Sequence, residues 1–189
     1  MNTHLILYNS HYGQTKKICN VIVAQMNRQK LVCDIKNIET TDKNFNLSYY
    51  QSILFAMPVY YGKHNKKMIA FINSKSSELK TKITGLFSIN LTARKQNKNT
   101  PETNPYMKKL LQQLNFKPDH IGVMAGALKY PEYPWYDRFI IRIIMKMTKG
   151  PTNLHVSKEF TDWMQVEAFA SQYIKKLLST DKGNTPFSD

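Results

Sequence analysis

The chain has 189 residues, 42% of them hydrophobic, and a formal net charge of +14. Such a length suits one α/β domain with a sizeable core, and such an apolar content excludes a disordered chain. No run of 18 or more consecutive apolar residues is present, which excludes a spanning helix, and no RNP sequence, GxxG of the KH type or zinc finger, which leaves nucleic-acid binding without a motif.

The positive charge fits either solvated lysines in a Lys- and Asn-rich chain or an anionic partner, such as a membrane surface or an acidic ligand. Cys19 and Cys33 form no CxxC and no metal-binding pattern. They read as reduced core thiols, which points to the cytoplasm.

The first apolar run, HLILYNS (4–10), reads as a strand. It lacks the charged leading region and cleavage site of a signal peptide. Ile18, Val21, Ile22 and Met26 share one face of a helix expected over about 14–29. LVCDIKNI (31–38) alternates only in part, as an edge strand does, whereas SILFAMPV (52–59) is continuously apolar, as a strand buried on both faces should be. A helix near 65–79, a fourth strand at ITGLFSINL (83–91) and a helix from Asn104 to about 114 follow. Asn104 is the expected N-cap, with Pro105 at the first helical position. HIGVMAGAL (120–128) is the fifth strand. The last helix, about 162–178, opens at Asp162 with Gln165 three residues on, the pattern of a capping box. The tail 180–189 is expected to fray.

Five strands separated by helices imply a doubly wound parallel sheet. No linker divides residues 1–179, so a single domain is expected. Two stretches break the alternation: the polar loop 92–104 and the insertion 129–161 after the fifth strand. Loops this long within a compact domain are usually functional or mobile.

Ligands of such folds bind at the carboxyl ends of the strands, so the first turn, YNSHYGQT (8–15), is the place to look. A helix N-terminus offers unpaired N–H groups and the positive end of a macrodipole. Gly13 permits a tight bend and a close approach. Ser10 and Thr15 add hydroxyls at the two ends of the turn, and Gln14 adds an amide. There is no GxGxxG and no GxxxxGK[ST], so neither a dinucleotide turn nor a nucleotide-hydrolase loop is indicated. From the residues alone, a phosphate cradle and a plain strand–helix turn capped by Ser and Thr both stand.

SHYGQT, with the strand count and the position of the turn, resembles the flavodoxin family. The resemblance implies a sheet of order 2-1-3-4-5 and FMN, with its phosphate at Ser10, His11, Tyr12, Gly13, Gln14 and Thr15. Tyr12 stands where flavodoxins usually carry Thr, which removes one hydroxyl donor and leaves the backbone N–H groups. The loops MPVYYGKHN (57–65) and SINLTARK (88–95) should then bracket the flavin ring. That puts Val59, Tyr60, Tyr61 and Gly62 on one side, and Ser88, Ile89, Asn90, Leu91, Ala93 and Arg94 on the other. Ala127 and Leu128 join them from the fifth strand. Ordinary loop packing is the alternative for Tyr60 and Tyr61. His11 and His64 fall in these loops and read as solvated or capping residues rather than proton shuttles.

PWYDRFIIRIIMKMTKG reads as a helix from about Trp135 to Lys149, stopped by Gly150 and Pro151. Arg138, Arg142, Lys146 and Lys149 recur at spacings of four, four and three and form one basic stripe. At about 1.5 Å per residue the helix is too short to span a bilayer. A basic stripe beside a wide apolar face is what an interfacial helix needs, with Trp135, Tyr130, Tyr133 and Tyr136 at headgroup level. A surface helix packed on the sheet or on a partner subunit is the alternative.

SINLTARKQNKNTPETNPY, AGALKYPEYPWYDRFIIRIIMKMTKG and TDWMQV are similar to the menaquinone-dependent protoporphyrinogen IX dehydrogenases, flavodoxin-like enzymes of bacterial haem synthesis. The resemblance covers nearly the whole chain. It implies oxidation of protoporphyrinogen IX through FMN, with menaquinone or another respiratory quinone as acceptor, at the inner face of the cell membrane. Arg94, Lys95 and Lys129 are candidate partners for the substrate's propionates. No Ser/His/Asp, Cys/His or paired-carboxylate constellation is visible, so no catalytic residue and no metal ligand is assigned. Asp137 is a candidate base, with pairing to nearby arginines the favoured alternative. Two rival functions stand: an electron carrier with no substrate of its own, against which the basic charge argues since typical flavodoxins are acidic, and a quinone reductase with another donor. The oligomeric state is left open.

Overall fold

The continuous apolar runs form the middle of a sheet. The computed structural model describes residues 3–42, 45–147 and 150–181. Five parallel strands, β1 (Thr3–Tyr8), β2 (Val32–Asn37), β3 (Tyr50–Pro58), β4 (Ile83–Ile89) and β5 (His120–Met124), lie in the order β2-β1-β3-β4-β5. This is the order the flavodoxin resemblance implies. Partly alternating β2 is the exposed edge, while β3 is buried along most of its length. Parallel neighbours need crossovers, and helices supply them. These are α1 (Gln14–Arg28), α2 (Lys66–Ser74), α3 (Ser76–Leu79) and α4 (Pro105–Leu111). Two more follow in the second half of the chain, α5 (Trp135–Met147) and α6 (Trp163–Asp181).

Each face of the sheet has its own core. Ile18, Ile22 and Met26 of α1 pack with Val166, Phe169 and Tyr173 of α6 against Ile6, Leu54 and Phe87. Met68 and Ile72 of α2 pack with Met107 and Leu110 of α4 against Leu5, Leu7, Phe55 and Leu86. Each such fully buried side chain contributes roughly 1.5–3 kcal/mol before ordering costs. Among the described residues no helix is long and apolar enough to cross a membrane.

Two expected elements differ most in extent. The helix near 65–79 is split at Lys75 into α2 and α3, and the Ser74 hydroxyl donates to the Phe71 carbonyl at 2.8 Å, a local bond that competes with a helical ladder. The fifth strand stops at Met124 rather than 128 because its neighbour ends: β4 finishes at Ile89, and the Asn90 amide makes a last bond to the Met124 carbonyl at 3.0 Å. Residues beyond Gly126 instead form β6 (Ala127–Lys129), antiparallel to β7 (Ser157–Glu159). The insertion thus leaves and returns on its own two-stranded ribbon, with a small core of Leu128, Tyr130, Tyr133 and Met145.

The caps follow sequence closely. The Asn104 side chain accepts the Tyr106 and Met107 amides, both at 3.1 Å. Asp162 accepts the Gln165 amide at 3.2 Å, but the Gln165 side chain turns away to the Asn99 carbonyl, so only half of the capping box forms. Lys149 and residues 182–189 of the tail lie outside the described residues.

Candidate functional site

The first turn is built to hold donors. Gly13 adopts the left-handed region, φ 79°, at the N-cap of α1, and no side chain caps that end. By contrast α2 and α4 are capped by Asn65 and Asn104. The Ser10 hydroxyl is buried without a hydrogen-bond partner among the described residues. An uncapped helix N-terminus beside an orphaned hydroxyl is a set of donors without acceptors, which suits an anion. Gln14 is engaged elsewhere: its amide donates to Thr161 at 2.8 Å and to Glu159 at 3.2 Å. It fastens the turn to β7, together with a Lys17–Glu159 ion pair at 2.8 Å. Burial pushes the Glu159 carboxyl up, but Lys17 and Gln14 outweigh it and hold it below its ordinary range.

A cavity of about 190 Å³ opens beside this turn at the carboxyl ends of the strands. From the turn, Ser10, His11, Tyr12, Gln14 and Thr15 line it. The loop after β3 contributes Val59, Tyr60, Tyr61 and Gly62, and the loop after β4 contributes Ile89, Asn90, Leu91 and Arg94. Ala127 closes one end. Tyr60 and Lys63 exchange backbone hydrogen bonds around Tyr61 (φ 49°) and Gly62 (φ 73°), a two-residue hairpin of the mirror-image kind. A tyrosine with positive φ is uncommon, and the turn holds its neighbour Tyr60 stacked on His11 with ring centroids 4.4 Å apart.

Four expected residues do not line the cavity. Gly13 shapes the turn, and Leu128 is fully buried in the insertion's core. Ala93 gives its amide to the Asn90 side chain at 3.0 Å. The Ser88 hydroxyl sits 2.8 Å from Nε2 of His64. His64 is thus part-buried and bonded to Ser88, and burial pushes its imidazole down to about 4.

The insertion forms the roof. Ile141, Ile144 and Met145 of α5 line the cavity, and Tyr133 packs on Tyr12 with centroids 4.5 Å apart. Tyr130 and Tyr133, expected at a headgroup level, are buried, and only Trp135 and Tyr136 are exposed. Asp137 is 1% exposed. It does not pair with an arginine among the described residues. Its Oδ2 instead accepts from the Tyr12 hydroxyl at 2.7 Å and from the Tyr60 hydroxyl. Burial and the Asp137 carboxylate raise both tyrosines above their ordinary range. Arg138 folds back to the carbonyls of Tyr133 and Pro131, at 2.7 and 3.1 Å. Arg142 and Lys146 remain exposed on the outer surface.

The propionate candidates are partly engaged. The Arg94 guanidinium donates to the Leu91 carbonyl at 2.7 Å and faces the Phe160 ring, and burial lowers its pKa. Lys129 reaches the Tyr12 carbonyl at 3.2 Å and pairs with Glu132. Lys95 is half-buried. Cavity residues that the sequence did not single out are Pro58, Thr92, Tyr106, Gly126 and the α5 side chains. The signal for the last was the spacing of Asp137, Ile141 and Met145, four apart along one helix face.

The profile of the Flavodoxin domain family matches residues 5–155. The chain belongs to the flavodoxin family. It is 34% identical over 168 residues to the protein named protoporphyrinogen IX dehydrogenase (quinone) of Escherichia coli K12, covering 89% of this chain and 92% of that one. It is 38% identical over 170 residues to the protein of the same name from Leishmania major, covering 89% and 73%. Among solved structures, a Streptococcus pneumoniae TIGR4 flavodoxin superposes with a TM-score of 0.54 at 14% identity, over 92% of this chain and 99% of that one. Flavodoxin 1 from Bacillus cereus gives 0.53 at 11% identity, over 93% and 98%. At these identities the structures bear on the fold alone.

Proposed function

We propose that this protein oxidises protoporphyrinogen IX to protoporphyrin IX in haem synthesis, with FMN as its redox group and menaquinone or another respiratory quinone as acceptor. The observation that carries this reading is the similarity to two proteins named for that activity, extending over 89% of the chain and through the insertion that roofs the cavity. The residues present fit FMN. The uncapped end of α1, Gly13 and the orphaned Ser10 hydroxyl suit its phosphate. The stacked rings of His11 and Tyr60, with Leu91 opposite, suit a flat ring. The cavity of about 190 Å³ is smaller than the roughly 300–1,000 Å³ of most ligand pockets, so FMN binding requires the slot to widen.

When bound, FMN supplies the two-electron chemistry. The chain supplies placement. The turn holds the anion, Tyr60 and Tyr61 hold one side of the slot, Asn90 through Arg94 hold the other, and the roof of α5 excludes water. Arg94, Lys95 and Lys129 are the proposed cationic rim for the propionates.

Membrane contact belongs to the same reading. Trp135, Phe139, Ile143 and Met147, spaced four apart, are 80%, 64%, 46% and 79% exposed. This ridge borders the basic row of Arg138, Arg142 and Lys146, the pattern of an interfacial helix at an anionic surface, where a quinone is found. The test is anaerobic incubation of the purified protein with FMN, protoporphyrinogen and a menaquinone analogue, followed by porphyrin fluorescence. Porphyrin formation that needs both FMN and quinone is expected.

A further inference from the structure

We propose that Tyr60, backed by Asp137 and Tyr12, is the proton relay of this site. It takes a proton from the macrocycle while passing its own to Asp137. The proposal rests on the function proposed above and assigns that function its acid–base residue.

Asp137 is almost fully buried, yet among the described residues no cation pairs with it. Its Oδ2 accepts from both tyrosine hydroxyls, which lie 3.1 Å from each other, and its Oδ1 has no hydrogen-bond partner among the described residues. Burying a carboxylate without a cation is costly, and a neutral amide would fasten α5 to the two tyrosines at less cost. The arrangement also has a direction. Tyr12 and Tyr60 line the cavity, and the carboxylate sits behind them. A ligand in the cavity meets the two tyrosines, and their hydroxyls meet the carboxylate. Burial and Asp137 keep the Tyr60 hydroxyl protonated well above the ordinary tyrosine range, which suits a group that passes a proton and does not hold a negative charge.

The chemistry needs such a group. Over three two-electron steps the macrocycle loses four hydrogens from its bridge carbons and two from pyrrole nitrogens: three leave with their electron pairs from bridge carbons, and three leave as protons, two from nitrogen and one from a bridge carbon. FMN, when bound, would supply the oxidant for the electron pairs. For each proton, the N–H bond (in one step the bridge C–H bond) breaks as an O–H bond forms on Tyr60, and the original Tyr60 O–H bond breaks as one forms on Asp137 Oδ2. A quinone acceptor that receives an electron pair with its hydrogen needs one proton more to become a quinol. The reverse transfer, Asp137 to Tyr60 to the quinone oxygen, delivers it. In each step two hydrogens leave the macrocycle, two reach the quinone, and the relay returns to its starting state.

Asp137→Asn keeps the shape and an acceptor oxygen for both tyrosines, and Tyr60→Phe keeps the stack on His11. Both variants should bind FMN with near wild-type affinity, measured by flavin fluorescence quenching on the flavin-free protein. Both should lose roughly 10²–10⁴-fold in turnover, the range expected for removing an acid–base group. Both should also change the solvent deuterium isotope effect on turnover, and Asp137→Glu should restore part of the rate. If the wild type forms porphyrin and flavin-loaded Asp137→Asn keeps pace with the same isotope effect, the relay is overturned and the proposed function survives. If Asp137→Asn loses FMN binding along with activity, Asp137 is a fastener only, which also overturns the relay. If the wild type forms no porphyrin, both fail.

Discussion

The hydroxyl of Tyr12 donates to Asp137 at 2.7 Å across 125 positions of sequence, joining the first turn of the sheet to the insertion helix. The tyrosine that replaces the usual flavodoxin threonine is thus a tether for the roof. Tyr12→Phe leaves a buried carboxylate with one donor fewer, a change that costs about 1–3 kcal/mol. For a chain of this size that lowers Tm by roughly 2–4 °C per kcal/mol. Amide hydrogen exchange in residues 135–147 should quicken more than exchange in the sheet. Unaltered exchange there would show that the tether does not hold the helix.

Gly13 is the next test, because its φ of 79° penalises any side chain. A Cβ there meets nothing within 4 Å, so the folded protein resists Gly13→Val only through its backbone. A bound phosphate adds a clash. FMN affinity should fall at least about tenfold, roughly 1.4 kcal/mol. An unchanged FMN titration would remove the phosphate from this turn.

His64 gives the protein an acid-sensitive element. Its imidazole is held down to about 4 in the fold, against an ordinary value of 6.5. Below 6.5 the unfolded chain takes up a proton that the folded chain resists. Stability is therefore full above that pH and is lost as pH falls toward about 4, by at most roughly 1.4 kcal/mol per pH unit. His64→Gln keeps a neutral hydrogen-bonding side chain beside Ser88 and should flatten this part of the curve. Urea midpoints across that range for the two proteins make the comparison. Parallel curves would place the acid sensitivity elsewhere.

The sheet was legible because buried parallel strands read as continuous apolar runs, as SILFAMPV does, and because Gly13, Asn104 and Asp162 act through local backbone geometry. The fifth strand was read too long because its end is set by β4, a partner 30 or more positions away. The loops of the site were legible by resemblance. Its roof was not. Helical periodicity placed Asp137 beside Arg138 in sequence, but the pairing with Tyr12 and Tyr60 depends on how the β6–β7 ribbon folds α5 over the sheet. Tyr130 and Tyr133 went inward for the same reason: a small core of their own was available.

The outer face of α5 should set membrane binding. Each basic residue near an anionic surface contributes about 1 kcal/mol. Reversing Arg142 and Lys146 to Glu should weaken binding to anionic vesicles by about 30-fold or more at low salt. Trp135→Ser with Phe139→Ser should weaken it at every salt concentration. Co-sedimentation with vesicles at low and high salt separates the two. Wild-type co-sedimentation by both variants would assign the ridge to another contact.

The activity proposed for this flavodoxin-fold chain is quinone-linked porphyrinogen oxidation. Its most direct test is the anaerobic rate of porphyrin formation from protoporphyrinogen, by fluorescence, with FMN and a menaquinone analogue supplied together and each withheld in turn. Porphyrin should form well above the spontaneous rate only when both are present, and restoring FMN to flavin-free protein should restore it. A rate equal to the spontaneous one with flavin bound and quinone present would contradict the claim and leave an electron carrier.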